Sequence, residues 1–69
     1  MQISGTVRFQ EFGGGFWGIV SDDGQQWRPV NLKESYQKEG KRISAHAEKA
    51  PDQISIFMWG TAVKILEYR

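Results

Sequence analysis

The chain has 69 residues, no cysteine, and nine basic against eight acidic side chains, for a formal charge of +1. Its length allows one domain at most, spanning residues 1–69, with a small core. The missing thiols exclude disulfides and thiolate metal sites, and the near-neutral balance is far from the basic stripe of a protein that binds by neutralising phosphates.

The first predicted element runs over residues 3–12. Ile3, Gly5, Val7 and Phe9 fall on one face and Ser4, Thr6, Arg8 and Gln10 on the other, the period-two pattern of a half-buried strand. Gly13-Gly14-Gly15 interrupts it, as a reversal that needs positive φ. Phe16 to Val20 is apolar on both faces, so alternation cannot orient it. Either a central strand is covered on both sides, or one face is left for a partner. Ser21 to Gln25 holds Asp-Asp-Gly, a strong hairpin signal. The third strand is short, about 26–30, with Trp27 and Val30 as its large apolar residues. Pro29 cannot donate to a ladder, so this strand ends there or lies at an edge.

The segment after it reads as the one helix, with Asn31 as N-cap and Glu34 three residues on, in the manner of a capping box. Leu32 and Tyr36 would face the sheet, Glu34 and Lys38 would pair outward, and Gly40 would terminate it. Alternation returns over 41–49, with Ile43, Ala45 and Ala47 inward; small alanines there leave room for a tryptophan. Residues 50–53 are a turn. The stretch from Ile54 to Tyr68 is too long for one regular strand, so a bend at Gly60 divides it into 54–59 and 61–68. The expected fold is all-β: a five-stranded OB-like barrel with one short helix between strands 3 and 4. An SH3-like barrel is the rival, with a 3₁₀ turn in place of the helix.

Gly-Gly-Phe-Trp-Gly-Ile-Val-x-Asp-Asp-Gly over 14–24, Trp-x-Pro-x-Asn-Leu over 27–32 and Met-Trp-Gly-Thr over 58–61 together span most of the chain. In these motifs it resembles a group of small, largely uncharacterised prokaryotic OB-like proteins and domains. The resemblance implies a small β-barrel and carries no activity with it. The family pattern often has Pro where this chain has Lys33, and an apolar residue where it has Lys41. These departures are expected to loosen the start of the helix and one end of the barrel.

Candidate chemistry is sparse. His46 alternates with small residues on the polar face of its strand, and Ser44 beside it makes no triad. Asp22 and Asp23 read as turn residues accepting local backbone hydrogen bonds, since a metal would need more oxygen ligands than the neighbourhood supplies. The triple glycine precedes a strand, not a helix with Lys-Ser/Thr, so it is no phosphate loop. No catalytic, cofactor or metal site is expected, and the chain is read as no enzyme.

The aromatic residues are more numerous than a small barrel core can hold. Phe16, Trp27, Arg28, Phe57 and Trp59 are therefore the candidate partner-binding residues, with Trp17 mostly core and Trp59 the tryptophan more suited to a partner. The favoured function is a non-enzymatic binding module contacting a protein partner through an aromatic strand surface. The uncharged run 55–59 also offers self-association by strand pairing. Single-stranded nucleic-acid binding is the alternative, with aromatic platforms for bases and Arg8, Arg28, Arg42 and Lys64 for phosphates. A small apolar or carbohydrate-like ligand is a third reading. No run is long enough for a membrane helix and the first residues lack signal-peptide regions. The expectation is cytoplasmic, with export left open because a chain trimmed of its leader would read the same.

Overall fold

The structure, a computed structural model, describes residues 1–11, 14–50 and 59–69. Phe12, Gly13, the expected turn residues 51–53 and the expected strand over 54–58, with Phe57 in it, lie outside the described residues. The strands are β1 (Gln2–Gln10), β2 (Phe16–Ser21), β3 (Gln26–Pro29), β4 (Arg42–Lys49) and β5 (Thr61–Tyr68), closed into a barrel in the order β1-β2-β3-β5-β4. All pairs are antiparallel except β3 with β5, which is parallel. A closed five-stranded all-β barrel fits both OB-like and SH3-like readings. No helix among the described residues is long and apolar enough to cross a membrane.

β1 closes the barrel because it pairs on both edges. Gln2–Thr6 face β4 and Gly5–Gln10 face β2, so Gly5 stands opposite both Ser21 and Ile43. A Cβ on Gly5 would overlap the carbonyl of Val20 and the Cα of Ser21. Neighbouring backbone fills that space, and only glycine fits.

The interior is aliphatic. Ile3, Val7, Ile19, Ile43, Ala45, Ala47, Val63 and Ile65 form the buried cluster, as the alternation in β1 and β4 requires. No tryptophan among them is fully buried: Trp17 and Trp27 are half-buried and pack against the cluster from its margin, with Leu32, Tyr36 and Tyr68. Five strands enclose a bore that branched aliphatics fill, so the indole of Trp17 contributes to the core from its rim. Phe9 extends the inward face of β1 yet is 42% exposed, because its ring stands edge-on to Trp17 at the barrel mouth.

The helical element between β3 and β4 is one 3₁₀ turn, Glu34–Tyr36, and no α-helix capped by Asn31. Asn31 is committed elsewhere. Its Nδ2 donates to the carbonyl of Ile65 at 2.9 Å and its Oδ1 accepts the Ile65 amide at 2.8 Å. Beyond Pro29 the Val30 amide still donates to the Val63 carbonyl at 2.9 Å, and the Asn31 side-chain amide carries the parallel pairing on to Ile65. Leu32 and Tyr36 still reach the core, as expected of them.

Gly40 leads into β4 in place of ending a helix. Its amide donates to Val7 O while the Val7 amide donates to Lys41 O, both at 2.8 Å, so two residues oppose one. That is a G1 bulge, which needs glycine at its first position, and φ is 82°. Gly60 turns the chain into β5 with φ 68°, the bend expected there. The Ser21–Gln25 hairpin is also as expected, with the Gly24 amide bonded to Ser21 O at 2.9 Å.

Candidate functional site

The question left by the apolar run of β2 is which side faces in. Trp17 stands opposite Phe9 and Ile19 opposite Val7, so these two point inward, leaving Phe16, Gly18 and Val20 on the outer face. That outer face has its own cover. A Cβ on Gly18 would fall on the six-membered ring of Trp59, which therefore covers the glycine. Phe16 meets the same indole edge-on, with centroids 5.6 Å apart at 65°. The two tryptophan–glycine steps are thus one construction: the glycine of the first seats the tryptophan of the second.

Two arginines flank this aromatic pair. Arg28 Nε donates to the carbonyl of Trp59 at 3.4 Å, which ties β3 to the residue before the Gly60 bend. Arg8 stands opposite Gly18 on β1 and pairs with Glu39 at 2.9 Å. The second oxygen of Glu39 accepts the Phe9 amide at 2.7 Å. That backbone bond first, and Arg8 second, hold the Glu39 carboxyl below its ordinary value of 4.5.

Beside the pair a cleft of about 330 Å³ opens, lined by Phe16, Trp17, Arg28, Pro29, Val30, Asn31, Leu32 and Gln37. Its origin lies in the ladder. β2 and β3 share only the pairs Ile19–Trp27 and Val20–Gln26; beyond them the strands part, β3 turning toward β5. Val30, on the cleft wall, is 56% exposed.

Among the sequence-predicted residues, Phe16, Arg28 and Trp59 therefore come together on the outer face of β2 and β3. Trp27 does not join them. It points inward opposite Ile19 and lines a separate cleft of about 270 Å³ with Gln2, Ser4, Ser21, Asp22, Asp23 and Gln25. Phe57 lies outside the described residues.

Of the acidic pair, Asp23 behaves as a turn residue, accepting from the Ser21 hydroxyl and from the Gln25 amide at 3.3 Å. Asp22 instead reaches across to β4 and takes a two-pronged bond from Arg42 at 2.8 and 3.0 Å. Both carboxyls are held below 3.8, Asp22 first by the Arg42 hydrogen bond and Asp23 first by the Ser21 hydroxyl. Ser44 accepts from Gln2 at 2.7 Å and meets Ser4 at 3.4 Å. His46 is half-buried opposite Gln2 and Glu67.

Reasoning on the sequence missed the tyrosine stack at one end of the barrel. Tyr36 and Tyr68 stack at 4.4 Å, with the Lys33 ammonium 5.0 Å from the Tyr68 ring and that of Lys41 5.3 Å from the Tyr36 ring. Both lysines lie against this stack. Comparison with family models, with curated proteins and with solved structures returned no match.

Proposed function

We propose that this chain is a non-enzymatic binding module of OB-like type, contacting a protein partner through the outer face of β2 and β3. The OB-like reading rests on the strand order, in which β4 lies beside β1 and the order β4-β1-β2-β3 is that of a Greek key. The single observation that carries the functional reading is the cluster of Phe16, Trp59 and Arg28 beside a partly apolar cleft. Aromatic and arginine side chains packed near a pocket are the composition of interface hot spots.

Single-stranded nucleic acid is the second reading, favoured by Arg8 and Arg28 on either side of an aromatic platform. Two of the four basic residues named for phosphates, Arg8 and Arg42, are paired with Glu39 and Asp22, and this supports the protein reading. A photo-crosslinkable phenylalanine analogue in place of Phe16, activated in native host cells, tests the choice. A discrete, nuclease-resistant protein adduct is expected. Nuclease-sensitive adducts, or none, overturn the reading.

A further inference from the structure

At the end of the barrel where β1 begins, a strand edge lies open. Met1 exchanges both main-chain bonds with Ala47 of β4, at 2.6 and 2.8 Å. Backbone groups of successive strand residues point to opposite edges, so the N–H and C=O of Gln2 point away from β4, toward the β2 side. β2 does not reach them. The β1–β2 pairing starts at Gly5 and Ser21, the carbonyl of Ser4 accepts the Asp22 amide at 3.0 Å, and the chain then turns into its hairpin. Both backbone groups of Gln2 are therefore without a partner among the described residues.

Between this edge and the hairpin opens the cleft of about 270 Å³. Buried Ile3 and half-buried Trp27 are its apolar lining; Asp22 and Asp23 also line it, and no basic residue does. Arg42 neutralises Asp22 through its two-pronged bond, which leaves Asp23 as the net charge. Both hydrogen bonds that Asp23 accepts, from Ser21 and Gln25, end on its Oδ1, and a carboxylate offers about four acceptor sites. The cleft is smaller than the roughly 300 Å³ at which ligand pockets begin. It has room for one side chain.

We infer that this edge and cleft receive an extended segment of a partner protein carrying a lysine or arginine. One residue of the segment exchanges both backbone bonds with Gln2, as in strand addition. Its neighbour then points to the same face as Ile3, into the cleft. That neighbour is the basic residue: its stem lies along the Trp27 indole and its cationic head meets the Asp23 carboxylate. The outer face of β2 and β3 takes no part, so this docking point is separate from the one proposed above. His46, opposite Gln2 on β4, lies on the far side of β1, two strand spacings or about 10 Å from the segment.

The test is selection of a displayed library of random linear peptides, each roughly ten residues long, against the full chain. The enriched peptides are expected to carry Lys or Arg. Asp23→Asn, which keeps an oxygen for Ser21 and Gln25, should weaken their binding by about tenfold. Gln2→Pro removes the N–H that faces the cleft, at a strand's first residue, where proline is tolerated. It should weaken binding by about tenfold, whereas Gln2→Ala, which loses only the side chain, should bind as the unsubstituted chain does. Thermal melts of the three variants control for folding. Enrichment of acidic or uncharged peptides, no enrichment, basic peptides indifferent to either Asp23→Asn or Gln2→Pro, or equal losses in Gln2→Pro and Gln2→Ala overturn the inference. Binding of a panel of mono- and oligosaccharides that Asp23→Asn abolishes overturns it in favour of a carbohydrate. None of these outcomes bears on adducts from position 16, which decide the outer-face reading separately.

Discussion

Gly18 and Asn31 show how far a residue's role can lie from its neighbours in the chain. Gly18 is needed because the Trp59 ring occupies the place of its side chain. A glycine beside a tryptophan marks close approach, and that much was legible; which ring approaches was not, because the partner comes from the far end of the chain. Gly18→Ala should displace the indole, lowering stability by about 1–3 kcal/mol and red-shifting tryptophan emission. A thermal melt and a fluorescence spectrum measure both; an unchanged spectrum would contradict the seating. Asn31 has the residue type and spacing of an N-cap, yet its amide completes a ladder with Ile65. Local pattern cannot distinguish these uses, since both exploit the same side-chain donor and acceptor. Asn31→Asp removes the donor and sets a carboxylate against the Ile65 carbonyl, so a loss of about 1 kcal/mol is expected in denaturant unfolding. No loss would show that the bonds are worth nothing net.

At the scale of elements, β1 and β4 were legible because each buries one face, and alternation follows directly from that. β2 was not, because Ile19 fills the bore while Trp59 covers the outer side. The connection from β3 to β4 shows a different limit. Leu32 and Tyr36 pack where a helix would put them, but the backbone makes one 3₁₀ turn. Lys33 is extended there, with φ −60° and ψ 144°, and its amide bonds the Tyr68 hydroxyl at 2.8 Å. Its φ suits proline, so Lys33→Pro trades that bond and the ammonium over Tyr68 for a stiffer unfolded chain. The net change in melting should correspond to no more than about 1 kcal/mol in either direction; a collapse of the fold would contradict this backbone geometry.

The hairpin between β2 and β3, together with Glu39 in the connection from β3 to β4, supplies a pH dependence. The carboxyls of Asp22, Asp23 and Glu39 sit below their ordinary values of 3.8, 3.8 and 4.5. Each therefore favours the folded state above its ordinary value, and this contribution disappears as pH falls through the lowered folded value. Stability should be level above about pH 5 and decline below about pH 4. Arg42→Gln should flatten part of that decline, because the Arg42 bond is the first cause at Asp22. Melting curves across this range check it, and an identical slope in the variant would remove Arg42 from the account.

For the whole molecule, an all-β barrel was readable from strand count, turn chemistry and the two alternating segments. The placement of aromatics was readable only in part. Their number exceeded what an interior could hold, and the described tryptophans do lie half-buried at its margins and outer face. Which of them share a surface depends on closure of the barrel, a long-range property that brings Phe16, Arg28 and Trp59 together and leaves Trp27 apart. The outer face of β2 and β3 is the surface we propose for a partner, while β4 lies across the barrel from it.

The most direct measurement is a pair of photo-cross-links in native host cells, one from position 16 on β2 and one from position 46 on β4. A discrete protein adduct from position 16 that is absent from position 46 is the expected result. Adducts of equal yield from both positions, or adducts from position 16 that nuclease removes, would contradict the account.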